Sequence, residues 1–223
     1  MSLWGATDTD ESKPKNLTAA EKKLVYATAS GWVLEAGSES SKFTGNDNAD
    51  ADPEILVAIG DLATSLGAAD ITEIEFVTTA FSKGTGGNLD VRVRFNEEVT
   101  VTGSPQFLIT NQTSSSRNIT AVYTSGSGSN ELVFRKTIAG NANDTNASDI
   151  LKVVANPVSQ NGGSTIKDKG TNTASTITSV VGIGTAAGSF IVPGVVELVP
   201  TQSFAGLVGS SSRLKPEGIP EDE

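Results

Sequence analysis

Residues 89–172 alternate apolar and polar side chains in short runs, broken by Gly, Ser and Asn. Leu89, Val91, Val93 and Phe95 share one parity, and Asp90, Arg92 and Arg94 share the other. A side-chain period of two belongs to a strand with one buried and one wet face. Several such runs spaced by turn residues predict a β-sandwich or barrel. Strands are expected at 71–77, 89–96, 99–102, 106–110, 118–124, 131–138, 150–154 and 176–181. Gly-rich connections at 82–88 and 125–130 join them, the second as a hairpin loop. The expected core holds Phe95, Phe107, Ile109, Tyr123, Leu132, Phe134, Ile150 and Val153.

The composition narrows the function classes. The chain has 26 Asp and Glu against 16 Lys and Arg, for a formal net charge of -10. Nucleic-acid binders rely on clustered cations to displace phosphate counterions, so no nucleic-acid partner is expected. With no Cys and no His, the chain lacks thiol nucleophiles, Ser-His-Asp triads, Cys/His zinc sites and disulfides. The fold must rest on its core. Residues 1–5 lack a basic stretch leading into an apolar one, so no Sec signal is expected. Residues 179–198 are long and uncharged up to Glu197, but Gly182, Gly184, Gly188, Pro193 and Gly194 among β-branched residues favour strands and turns over a spanning helix. No membrane association is expected.

The flanks read differently from the middle. Residues 1–16 are polar, and Trp4 within them reads either as a loose end or as an anchor in a partner's pocket. Residues 18–30 predict a short helix, with Thr18 and Glu21 as a capping box and Gly31 as its exit. Strands are expected at 32–34 and 54–59. One helix and two strands make a small core at best, so residues 1–66 read as an α+β anchoring subdomain that leans on a neighbour. Its candidate partner-binding residues are Trp4, Trp32, Leu34, Ile55, Val57 and Ile59. Residues 67–183 form the sandwich. Residues 184–223 are a C-terminal extension, with a hairpin of 190–192 and 195–199 turned at Pro193 and Gly194, then a Gly, Ser, Pro and acid-rich arm.

Three patterned blocks carry a resemblance. They are residues 91–105, with Val91, Val93, Phe95, Asn96, Glu97, Val99, Val101, Gly103 and Pro105; residues 121–134, with Ala121, Tyr123, Gly126, Gly128, Asn130, Leu132 and Phe134; and residues 161–168, with Asn161, Gly162, Gly163, Ile166 and Asp168. In this order they resemble bacterial Ig-like domains, found as repeats in large surface proteins and in phage proteins. That family's last block leads into a Gly-Asn pair, where this chain has Gly170, Thr171 and Asn172. The resemblance implies an all-β, Ig-like β-sandwich and carries over no catalytic residue. The N-terminal stretch (Trp4, Gly5, residues 10–17 and residues 31–34) is similar to the openings of structural proteins from marine tailed phages of the cyanophage type. This implies a virion component, most simply a capsid decoration protein assembled in the host cytoplasm, with the major capsid protein, other virion proteins and sister subunits as partners. A tail, neck or baseplate position is the rival location. A bacterial surface adhesin domain that binds glycan on a host surface is the rival class.

Candidate chemistry competes with plainer readings. Two acidic loops, one with Asp47, Asp50 and Asp52 and the other with Asp144 and Asp149, have the oxygen donors calcium prefers. Neither keeps the EF-hand order, and Asp and Asn also favour turns for their own hydrogen bonds. No cofactor is therefore expected, with calcium as the one candidate. Glu73, Glu75, Glu97 and Glu98 read as solvated strand positions and not as an acid pair across a cleft. Residues 82–87 lack the P-loop order of Gly-Lys-Ser/Thr entering a helix. With no catalytic kit, the chain is expected to be a non-enzyme.

Overall fold

The computed structural model describes residues 13–14, 17–38, 46–78, 85–140, 145 and 149–179, and the backbone of 189–192. The architecture is all-β, with antiparallel sheets in a curled, sandwich-like arrangement.

The N-terminal unit starts with a one-turn helix, α1 (Ala19–Lys22). Thr18 Oγ1 accepts the Glu21 N–H at 3.3 Å, and Glu21 Oε2 accepts the Thr18 N–H at 2.7 Å, so the capping box forms as expected. The expected helix through residue 30 does not form. Strand β1 (Val25–Thr28) follows instead and folds back on β2 (Gly31–Leu34) with Thr28 opposite Gly31. The capping box sets only where a helix starts. Val25, Tyr26 and Thr28 favour an extended chain, and pairing with β2 satisfies their backbone. Gly31 therefore serves the hairpin, not a helix exit. Its φ is +131°, and a Cβ there would stand 2.0 Å from the Val57 carbonyl oxygen. Strand β3 (Glu54–Ala58) completes a sheet of order β1-β2-β3, and α2 (Leu62–Ser65) caps it. Val25, Ala27, Trp32, Leu34, Leu62 and Leu66 form its core. Lys13, expected in a polar extended arm, is buried, with Nζ donating to the Lys22 carbonyl at 2.7 Å.

The larger unit comprises β4 (Ile71–Phe76), β5 (Gly86–Phe95), β6 (Val99–Thr102), β7 (Gln106–Asn111), β8 (Ile119–Ser125), β9 (Glu131–Ala139), β10 (Asp149–Lys152), β11 (Val158–Ser159), β12 (Thr165–Asp168) and β13 (Ser189–Val192). Seven strands run β13-β10-β7-β8-β9-β5-β4, β11 also pairs with β7, and β6 and β12 form a separate ribbon. Side chains from the large sheet and the ribbon meet in one core that includes Val91, Val93, Phe95, Phe107, Ile109, Phe134, Leu151 and Ile166. Phe134 lies at its centre, 5.6 Å from the Phe107 ring and 6.2 Å edge-on from Tyr123.

Most expected strands appear within two residues of their limits, and the alternation in β5 holds. Two expectations for this unit fail. Ile150 is only half-buried, because β10 turns Asp149 and Leu151 inward. Ile150 and Val153 are three residues apart and cannot share a face of one regular strand. The strand expected at 176–181 reduces, among the described residues, to a single bridge from Thr176 to Asp70. Strands β11 and β12 are additional; β11 has only two residues, and β12 is fixed by its pairing with β6. In the tail, β13 forms where residues 190–192 are expected to be extended, but its described partner is β10. Residues 195–199, the other half of the expected hairpin, lie outside the described residues.

Truncating Phe134, fully buried between two other rings, leaves a cavity the curled sheet cannot close. Phe134→Ala is expected to lower stability by about 3–5 kcal/mol, read as an earlier urea midpoint with the slope unchanged.

Candidate docking edge and the charged seam

The structure separates the six candidate partner-binding residues. Trp4 lies outside the described residues. Trp32 and Leu34 are fully buried in the small core, so they anchor the N-terminal unit to itself and are not on its surface. All four residues of β2 are buried, because β2 is the central strand of its sheet. Val57 and Ile59 pack in part on that core. Ile55 alone projects outward and, at 55% exposure, is the most exposed large apolar side chain among the described residues. A bulge between Trp32 and Val33 shifts the β2–β3 register beside it.

Strand β3 is the outer edge of its sheet, and no described strand pairs with its far side. The β1 side faces the sandwich: the Ala27 N–H donates to the Asn96 carbonyl at 2.8 Å. Asn96 holds three segments together. Its Oδ1 accepts the Asp70 N–H at 2.7 Å, its own N–H donates to the Asp70 carbonyl at 3.0 Å, and its carbonyl takes Ala27. The open β3 edge thus lies on the side of the sheet away from this joint.

Charge concentrates on the outer face of the large sheet next to the joint. Register places Glu73 opposite Arg94 and Glu75 opposite Arg92, while Glu131 faces Arg94 on the other side. Opposite charges on neighbouring strands support each other. The Arg94 side chain is only 7% exposed, and burial alone works against its charge. The carboxylates outweigh that, led by Glu131 and then Glu35, Glu75 and Glu73, and hold its pKa above the ordinary arginine value. Glu131 lies at 2.5 Å, Glu73 at 2.6 Å and Glu75 at 3.0 Å from its nitrogens. Glu35, which follows β2 in the N-terminal unit, contacts it at 3.2 and 3.4 Å. Arg92 binds Glu75 and reaches Glu131 at 3.4 Å, and Lys23 reaches Glu73 at 3.3 Å.

Glu73 and Glu75 are thus not solvated positions, as expected from the sequence, but partners of buried or half-buried arginines. Glu97 is fully buried as well, where β1 meets the turn after β5. Glu98 pairs with Lys169 at 3.0 Å. The signal for the seam was present in the sequence: Glu73 and Glu75 repeat two apart, as do Arg92 and Arg94, in strands expected to neighbour each other.

The two acidic loops also separate. Asp47, Asp50 and Asp52 sit in an exposed, self-bonded turn. The Asp50 N–H donates to Asn48 Oδ1 at 3.0 Å, and Asn46 Nδ2 donates to the Asp52 carbonyl at 3.2 Å. Asp149 is buried and committed: Asn111 Nδ2 donates to it at 2.8 Å, and Arg117 grips both carboxylate oxygens at 3.1 and 2.7 Å. That leaves it poorly placed as a calcium ligand. Asp144 lies outside the described residues. Among the described residues, no three acidic side chains gather as a metal-binding group.

Removing Arg94 leaves carboxylates facing one another across the seam. Arg94→Ala is expected to cost about 3–5 kcal/mol in chemical denaturation, against a much smaller loss for Arg135→Ala, whose pair with Asp90 is exposed. Melting scans with calcium and with chelator are expected to coincide. A calcium-dependent rise that survives Asp149→Asn would place a site in the loop of Asp47, Asp50 and Asp52. Comparison with protein-family profiles, with curated proteins and with solved structures finds no match for this chain.

Proposed function

We propose that this chain is a non-enzymatic structural protein of a phage virion, a capsid decoration protein that docks through its N-terminal unit and displays the sandwich. The observation that carries the docking half of this reading is the open β3 edge. An edge strand presents unpaired N–H and C=O groups and can add a strand from a partner. Here the edge carries one charge, at Glu54, and the exposed Ile55. Proteins commonly blunt such edges with charge or Pro; β3 has Pro53 just before it and Glu54 at its start, and among the described residues no strand pairs with the far side of Ile55–Ala58.

The mechanism is adhesive. Backbone pairing along β3 supplies register, and Ile55 supplies buried apolar area. Copies repeated over a shell multiply a modest single contact. The seam that ties the N-terminal unit to the sandwich would keep the displayed domain at a defined attitude. The virion assignment rests on the similarity of Trp4, Gly5, residues 10–17 and residues 31–34 to the openings of phage structural proteins, and the N-terminal unit is the part the docking reading uses.

Ile55→Asp adds a charge on the docking edge without touching either core. The full-length variant is expected to fold, with an unchanged circular dichroism spectrum, and to be incorporated into particles at least tenfold less than wild type in quantitative particle proteomics. Incorporation at the wild-type level would overturn docking through β3. Absence of the wild-type chain from purified particles would overturn the virion reading.

A further inference from the structure

The seam between the two units carries an imbalance of charge. Among the described residues, four carboxylates, Glu35, Glu73, Glu75 and Glu131, face three cations, Arg92, Arg94 and Lys23. Glu35 holds the weakest position. Its contacts with Arg94 are the longest of the four carboxylates on that guanidinium, and it is the only one contributed by the N-terminal unit. Its side chain is largely covered, at 19% exposure. A carboxylate that loses water without gaining a short ion pair favours its neutral form.

The groups that face it all fit this picture. From β5 come Arg94 and Arg92; from β9, Glu131; and from β4, through Arg94, Glu73 and Glu75. From its own unit, Tyr26 lies near and Lys23 holds Glu73. Glu98 bears on Tyr26 from the turn before β6. Tyr26 stays neutral, because burial first, then Glu98, Glu35 and Glu131, raise its pKa above the ordinary value. Burial pushes the Glu35 carboxyl up to about 7; Arg94 opposes this and Glu131 adds to it.

We propose that the seam is a proton-operated clasp: one proton on Glu35 seats the N-terminal unit on the sandwich, and its loss loosens that seat as the pH rises from acid to neutral. The sign follows from linkage. Docked, Glu35 holds its proton up to near neutrality; released into water, it loses it at ordinary carboxylate pH. Between those limits the docked form binds more protons, so docking weakens as pH rises through the window. Above it the seam carries an uncompensated buried charge. The clasp is independent of what β3 binds; a virion component and an adhesin domain would both transmit it to the attitude of the sandwich.

The test uses the full chain and compares wild type with Glu35→Gln, which keeps the shape and stays neutral. The readout is the amide-exchange protection of the Ala27 N–H, which donates across the seam, corrected for the intrinsic pH dependence of exchange. Between pH 5.5 and 8.0 the wild type is expected to lose protection at Ala27 by about tenfold or more, since one pH unit of linkage corresponds to a factor of ten. The Val93 amide, deep in the sandwich, should hold its protection. Glu35→Gln should show flat, high protection at Ala27. Equal pH profiles in the two proteins would overturn the clasp. Should the variant fail to fold, carbon-13 titration of Glu35 in the wild type decides: a midpoint in the ordinary carboxylate range overturns the proposal, and one near neutrality supports it.

Discussion

A single buried guanidinium ties the two parts of this protein together. Arg94 sits on a strand whose other face is the apolar wall of the sandwich, so its position is set by the period of β5. Taking it out of water is costly, and the cost is offset because the carboxylates of Glu73, Glu75 and Glu131 arrive from both neighbouring strands, while Glu35 of the N-terminal unit accepts longer hydrogen bonds from it. The arrangement depends on register. A slip of one residue in β4 or β9 would send these carboxylates to the opposite face and the core side chains into water. The seam and the core therefore enforce the same pairing, one by charge and the other by exclusion of water.

Asn96 plays the matching part for the backbone. It stands where β5 ends, and one residue binds the linker at Asp70 and the edge strand at Ala27. Such a side chain cannot be replaced by an apolar one, because the Asp70 N–H would lose its acceptor. Together Arg94 and Asn96 explain why a unit with a core as small as that around Trp32 keeps a fixed place. Its β1 edge is held at Asn96 and its Glu35 by hydrogen bonds from Arg94, which leaves β3 on the far side of its sheet.

Several features were legible in the amino-acid sequence. The inward set of β5, the hairpin across residues 125–130, the capping box at Thr18 and the strand β3 follow from local rules. The docking candidates were legible only in part. An apolar run such as residues 54–59 announces a strand but not which side chains it hides, and Trp32 and Leu34 look like anchors until β2 is seen to be central. The acidic loops divided for the same reason: Asp149 has a fate only because Arg117 and Asn111 stand beside it.

The sequence by itself determined that the chain is built from half-buried strands, that it must fold without disulfides, and which parity of each long strand faces inward. A period of two and a turn residue act over a few neighbours, so they can be read from neighbours. Tertiary structure decided the rest. It turned a helical start into a hairpin, inverted the facing of Ile150, buried Lys13 and Glu97, and joined Arg94 to carboxylates from three other elements. Those outcomes depend on which distant segment supplies a partner, and the energy of burying a charge or an edge is settled only when that partner is in place.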